Sequence, residues 1–322
     1  MLNLTDIVQA AKRLEGVAVR TPLIESPVLN EIAGGRVLLK AECLQRTGSF
    51  KIRGAYNLLS QLTPEQAARG VVAWSSGNHA QGVASAARML GIAAAIVMPE
   101  DAPRSKLENT RRLGGEVITY DRYVADREEI ARELGRKRGA ELVPSYDHPH
   151  IIAGQGTVGL EIAEQCQLLG EVPDQVLICC GGGGLTSGSA VALKALVPDV
   201  QIYAVEPEDF DDTANSFASG QRQRIDANAR SICDALQTPM PGKLTFEINR
   251  SLGVEALLVS DDEVIEAMRF AFRELKLVVE PGGAVALAAI LGQKLATGGK
   301  TSVAVLSGGN VDAELFASIQ AA

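Results

Sequence analysis

A chain of 322 residues, 46% hydrophobic and 22% charged, has apolar surface enough for a large core and is far from the composition of disordered segments. Lys and Arg number 31 against 39 Asp and Glu, a formal net charge of -8, so nothing in the charge balance suits a nucleic-acid backbone. The five cysteines, Cys43, Cys166, Cys179, Cys180 and Cys233, are odd in number and lack CxxC spacing, which argues against a disulfide framework or a structural zinc site and for a reducing cytoplasm.

Residues 1–6 lack the basic stretch and apolar run of a secretory signal, and no segment carries enough consecutive apolar residues to span a bilayer. A membrane protein is therefore not expected. In chain order, a strand is predicted at 37–40, a helix at 51–61, a strand at 71–74, a helix at 78–90, a strand at 93–98, a helix at 103–113, a strand at 116–119 and a helix at 122–138. After a turn-rich stretch at 144–149 come a helix at 152–168, a strand at 175–179, a helix at 185–196, a strand at 201–205, helices at 261–275 and 282–291, and a last strand at 302–306. This alternation predicts an α/β protein whose mostly parallel sheets are covered by helices. The length suits two domains, and with no long linker present the chain must cross between them by short connections, near 144–149 and again near 51–56.

Three stretches are hard to explain by fold maintenance alone. In Thr47-Gly48-Ser49-Phe50-Lys51-Ile52-Arg53-Gly54-Ala55, Ser49 is expected to cap the following helix, placing Lys51 in its first turn, where the helix dipole disfavours a second positive charge. A lysine that sheds its proton more easily is what Schiff-base chemistry requires. In Cys180-Gly181-Gly182-Gly183-Gly184-Leu185-Thr186-Ser187-Gly188, a strand, four glycines and a helix N-terminus expose backbone N–H groups and make a phosphate cradle. It lacks the Gly-Lys-Ser/Thr of a nucleotide loop and the spacing of a dinucleotide fold, which disfavours a nucleotide-dependent oxidoreductase. In Ser75-Ser76-Gly77-Asn78-His79-Ala80-Gln81-Gly82, hydroxyls, an amide and a helix N-terminus could hold a carboxylate, and Ser76 could move a proton. Taken singly, Asn78 reads as a helix cap and His79 as a structural histidine.

These three stretches together, with Arg20-Thr21-Pro22-Leu23, Ala153-Gly154-Gln155-Gly156-Thr157, Glu280-Pro281 and Ser307-Gly308-Gly309-Asn310-Val311, resemble the fold-type II pyridoxal-phosphate enzymes of the threonine dehydratase and serine racemase family over nearly the whole chain. The resemblance implies a tryptophan synthase β-like architecture. Its larger cofactor-binding domain would comprise 1–51 and 147–322, and its smaller substrate-binding domain 52–146. It further implies a Schiff base between Lys51 and the cofactor, Phe50 against the pyridine ring and Asn78 at the ring's 3-hydroxyl. Gly181, Gly182, Gly183, Gly184 and Leu185 would lie around the phosphate, and Ser307 would face the ring nitrogen. Ser75, Ser76, Gly77, Asn78 and His79 would hold the substrate, and Ser76 matches the acid/base on the face opposite Lys51. A hydroxyl at the ring nitrogen makes a weaker electron sink than an Asp and suits elimination. The expected activity is that of a threonine/serine dehydratase, converting a β-hydroxy amino acid to a 2-oxo acid and ammonia. A 3-hydroxyaspartate or phenylserine dehydratase and a serine racemase are the nearest alternatives; a non-catalytic binding protein is disfavoured by Lys51 and Ser76 together.

The acidic stretch Val205-Glu206-Pro207-Glu208-Asp209-Phe210-Asp211-Asp212 reads by itself as a solvated loop. The resemblance turns it into a divalent-cation site for Mg²⁺ or Ca²⁺, held by Glu206, the Phe210 carbonyl and Asp212. A homodimer is expected by resemblance alone. The chain ends soon after Ser307-Gly308-Gly309-Asn310, so the regulatory domain of the long biosynthetic threonine dehydratases, and its isoleucine feedback, are not expected. Arg46 stands where nucleotide-activated serine racemases carry a lysine, so nucleotide activation is not implied. Arg127 lies near where some relatives place an arginine close to the active-site entrance, but a solvated helix charge is the expected reading.

Overall fold

The computed structural model describes residues 2–75, 77–102, 104–121, 124–226 and 228–321. Ten strands form two sheets. The larger contains β1 (Leu23–Glu25), β2 (Arg36–Lys40), β7 (Gln175–Cys179), β8 (Gln201–Pro207), β9 (Glu255–Val259) and β10 (Thr301–Val305) in the order β1-β2-β10-β7-β8-β9. The smaller contains β3 (Val71–Trp74), β4 (Ala94–Pro99), β5 (Glu116–Tyr120) and β6 (Glu141–Leu142) in the order β5-β4-β3-β6. Every pairing is parallel except β1 on β2. Parallel strands are covered on both faces and so carry unbroken apolar runs: β4 and β7 are buried at every position.

The helices of the first half are α1 (Leu4–Arg13), α2 (Pro27–Ala33), α3 (Lys51–Leu59), α4 (Pro64–Arg69), α5 (Asn78–Leu90), α6 (Arg104–Arg112), α7 (Arg127–Arg138) and α8 (Pro149–Leu168). They continue as α9 (Gly184–Leu196), α10 (Asp212–Ser219), α11 (Lys243–Ser251), α12 (Asp261–Arg273), α13 (Pro281–Leu291) and α14 (Ala313–Ala321). None of the described helices is long and apolar enough to cross a membrane. All five cysteines are free and buried.

Two expectations are corrected. The helix expected at 122–138 begins at Arg127, because Asp126 caps it by accepting from the N–H groups of Glu128 and Glu129; residues 122 and 123 lie outside the described residues. Ser49 does not cap α3. Phe50 takes that place without a side-chain cap, while Ser49 is extended and bridges to Gly308. That bridge sets its backbone strand-like, and its buried hydroxyl finds no partner among the described residues.

Where the two sheets meet, α3 lies against α8 and carries a buried ion network. Arg53 is 1% exposed and donates two hydrogen bonds to Glu42, at 2.7 and 2.8 Å, and two to Glu161, at 2.7 and 3.0 Å. Lys40 reaches the same Glu161 at 2.6 Å. Burial works against the Glu42 charge, but the Arg53 guanidinium outweighs it and holds Glu42 below its usual range. The helices can approach because Gly54 faces Gly154: a Cβ at Gly154 would come within 2.5 Å of the Arg53 carbonyl oxygen. This packing fixes the helix whose first residue is Lys51.

Candidate active site

A cleft of about 320 Å³ opens between the two sheets, lined by Lys51, the head of α5, the 181–184 loop, Tyr146, Glu280 and Ser307. Lys51 Nζ projects into it, donates to the Ser145 carbonyl at 3.1 Å and lies 5.2 Å from the centre of the Phe50 ring. Burial pushes its amine down to about 8, against partial offsets from Cys179 and Glu280. The cleft wall, more than the helix dipole invoked from sequence, loosens this proton.

The strand β7 delivers the chain into the glycine loop, and α9 leaves it. Gly183 takes φ 87°, a left-handed conformation that suits glycine. Gly182 lies so close beneath the Tyr146 ring that a Cβ would come within 2.3 Å of it. The Gly182 carbonyl accepts from the Thr245 hydroxyl at 2.6 Å and the Gly242 N–H at 3.3 Å. Asp147 in turn accepts from the N–H groups of Lys243, Leu244 and Thr245 at the head of α11. With carbonyls tied back in this way, the N–H groups of Gly181, Gly182 and Gly183 are spent on no other described residue, and an anion at the head of α9, beside Leu185, would meet them.

Opposite, β3 ends at Trp74 and α5 starts at Asn78. The Ser75 hydroxyl accepts from the Gly77 N–H at 3.2 Å, and the first N–H groups of α5 face no helical acceptor. Ser76 lies outside the described residues. Asn78 is held at both ends, since its amide donates to Glu280 and its oxygen accepts from Asn310 at 2.7 Å. His79 is buried, with Nε2 at 2.9 Å from the Val143 carbonyl, and burial followed by the Lys51 charge pushes it down to about 3. A neutral ring turned toward Val143 serves structure, and the backbone N–H is what this residue offers a carboxylate. Ser307 is buried in the cleft and its hydroxyl accepts from the Cys179 thiol at 3.1 Å.

Sequence reasoning missed Ser145, Tyr146, Cys179 and the role of Glu280, whose carboxyl burial and then Asp234 push up to about 7. The Glu280-Pro281 pair belonged to the resemblance, yet nothing local showed that Glu280 faces Asn78, 202 positions away. Arg127 is exposed, as expected of a helix charge, and also lines the cleft.

Away from the cleft, Glu206 accepts from the N–H groups of Thr213 and Ala214 at the head of α10, and Phe210 is buried. Both Asp212 carboxyl oxygens are buried without a hydrogen-bond partner. Burial pushes Glu206 up to about 8, and burial followed by the Glu206 charge pushes Asp212 up to about 9. Among the described residues no three His, Cys, Asp or Glu side chains converge on one point.

A lysine with a loosened proton is thus set between an anion cradle and a second helix head. The family model described as pyridoxal-phosphate dependent enzyme matches residues 14–308. The chain belongs to that family. Among these enzymes, the L-threo-3-hydroxyaspartate ammonia-lyase of a Pseudomonas species is 48% identical over 314 residues, 98% of this chain and 97% of that protein. The L-threonine ammonia-lyase of Thermotoga maritima is 43% identical over 318 residues, 98% of this chain and 77% of that protein. The solved serine racemase of maize superposes with a TM-score of 0.93 at 37% identity, covering 98% of this chain and 96% of that one. These fold-type II enzymes share the two mostly parallel, helix-covered sheets described above. The free N–H groups of the glycine loop and the Lys51 amine in the same cleft fit pyridoxal phosphate.

Proposed function

We propose that this pyridoxal-phosphate enzyme is an ammonia-lyase that removes water and then ammonia from a β-hydroxy amino acid, leaving a 2-oxo acid. The observation that carries the reading is the Lys51 amine, directed into the cleft between the glycine loop and the head of α5. Domains of 1–51 with 147–322, and of 52–146, would close on this cleft.

When bound, pyridoxal phosphate supplies the electron sink that makes an amino acid's α-proton removable. Gly181, Gly182, Gly183, Gly184 and Leu185 would hold its phosphate, Phe50 would pack on its ring, and Asn78 and Ser307 would supply polar contacts to the ring. Lys51 Nζ, whose hold on its proton is loosened by burial, would take the α-proton of the substrate. The N–H groups of Asn78 and His79, with the hydroxyls of Ser75 and Ser76, would hold the substrate carboxylate beside Gly77, and Ser76 would supply acid/base chemistry on the other face. Release of 2-oxo acid from a panel of L- and D-serine, L-threonine, the 3-hydroxyaspartate isomers and phenylserine tests the reading, with product chirality separating elimination from racemisation. A protein that attaches the cofactor and releases no 2-oxo acid from any of them is not this enzyme.

One observation favours 3-hydroxyaspartate within that class. Lys106 at the cleft is paired with Asp234 at 2.5 Å, whereas Arg127 lines the same cleft without an acidic partner among the described residues. Arg127 also begins α7, where the dipole disfavours a cation, so a second substrate carboxylate would relieve it. Arg127→Ala is expected to raise KM for 3-hydroxyaspartate by about 10- to 100-fold, the worth of a charged hydrogen bond, and to spare serine. Equal effects on both substrates would leave serine and threonine as the better reading.

The same proposal includes a divalent cation, Mg²⁺ or Ca²⁺, at Glu206, the Phe210 carbonyl and Asp212. Two buried carboxyls with raised pKa values and two orphaned oxygens are relieved by a hard cation, with backbone carbonyl and water completing its shell. Saturation at about 100 times the dissociation constant is expected to add ~2.7 kcal/mol to stability. Chelation should lower the melting temperature, and Mg²⁺ or Ca²⁺ should restore it. Because the metal displaces protons, the gain should grow as pH rises through about 8 to 9. Identical melting with chelator and with Mg²⁺ at pH 8.5, a setting of about the midpoint of that window, would make the stretch a plain acidic loop.

A further inference from the structure

We propose that Cys179 is a positioning residue for the cofactor's pyridine nitrogen, fixing the direction in which the Ser307 hydroxyl donates. Cys179 ends β7 and Ser307 follows β10, the adjacent parallel strand. Both side chains are buried at the floor of the cleft. The thiol donates to Ser307 Oγ at 3.1 Å. A serine hydroxyl has one proton and two lone pairs, so a lone pair occupied by the S–H leaves the O–H to turn toward the cleft. Ser307 is held from behind as well, since its carbonyl accepts from the Phe50 N–H at 3.2 Å. Cys179 is fixed by the Thr186 hydroxyl, which donates to its carbonyl at 3.1 Å. Burial pushes the thiol up to about 11, so it remains a donor throughout the physiological range. A ring nitrogen that receives a neutral O–H stays unprotonated and remains the modest electron sink that elimination tolerates.

This rests on the reading that Ser307 meets the ring nitrogen, and the test separates the two ideas. In the holoenzyme, Cys179→Ala should retain the Lys51 adduct while shifting its absorption maximum and the pH midpoint of its visible spectrum. It should release cofactor about three- to tenfold faster, the size of one net hydrogen bond. Cys179→Ser, which keeps a donor, should restore both, whereas a void left by the sulfur would not be repaired by the smaller hydroxyl. Ser307→Ala should give the same spectral shift, and the double variant no further one, as residues acting through one bond are non-additive. A shift in Ser307→Ala with wild-type behaviour in Cys179→Ala, or additive shifts in the double variant, overturns the positioning role while leaving Ser307 at the nitrogen. A spectrally silent Ser307→Ala overturns both.

Discussion

Lys51→Ala is expected to fold, to retain phosphate affinity in the glycine loop, and to lose both the borohydride-reducible lysine adduct and its visible band. Turnover should fall by about 10²- to 10⁴-fold or more, the range supplied by a positioned proton-transfer group. The pH dependence follows from burial. Attachment of the cofactor to cofactor-free protein requires neutral amine, and with the Lys51 amine at about 8 the rate should rise with pH and level off above that value. At pH 7 roughly one tenth of such an amine is neutral, against less than about one thousandth at an ordinary lysine pKa. A reducible adduct surviving in Lys51→Ala, or an attachment rate in the wild type still climbing steeply above pH 10, well past the ordinary lysine midpoint of about 10.4, would count against Lys51 as the attachment point or against the lowered pKa.

The parts of this site that the sequence disclosed are those whose signal is local. Unbroken apolar runs place β4, β7 and β10 within a residue of their observed bounds, because parallel strands buried on both faces tolerate nothing else. The glycine loop and the head of α5 are legible for the same reason: strand, turn and helix follow one another within ten or so residues. What escaped is set by partners outside the element itself, most of them distant in the chain. The head of α11 is capped by Asp147, about a hundred positions away, and the head of α10 by Glu206, so neither helix announces its start in its own residues. The short β1 and the half-exposed β9 are held by pairing and carry no clean period. Ser49 misled because a serine before a helix is so often its cap, whereas here the bridge to Gly308 claims its backbone. The Cys179 to Ser307 bond joins residues 128 positions apart, and only the pairing of β10 with β7 brings them together.

Arg53 belongs to the same distant class. It stands two residues after Lys51 and its sequence gives no hint that it meets two carboxylates across the interface between the sheets. Arg53→Ala should cost about 3–5 kcal/mol, the usual penalty for leaving a buried charge without its partner. Glu42 is 0% exposed and would retain only the Thr21 hydroxyl at 2.5 Å and a long contact to Gln45. The sign of the pH dependence identifies the cause. In the wild type Arg53 holds Glu42 below its usual range, so that pairing stabilises above the ordinary carboxylate pKa and is lost as pH falls through the lower folded value. In Arg53→Ala burial is unopposed by the guanidinium, Glu42 in the fold prefers its proton, and stability falls as pH rises above about 4.3. The deficit relative to wild type should therefore be largest near neutrality and shrink on acidification. Arg53→Lys keeps the charge but cannot serve both carboxylates with a planar fork, and should fall between the two. Cofactor attachment at Lys51 should weaken in the same order, since α3 is held to α8 by this network. A deficit under about 1 kcal/mol, as for an exposed ion pair, unchanged between acid and neutral pH, would show that the glycine-lined packing of α3 on α8 holds the lysine helix without the ion network.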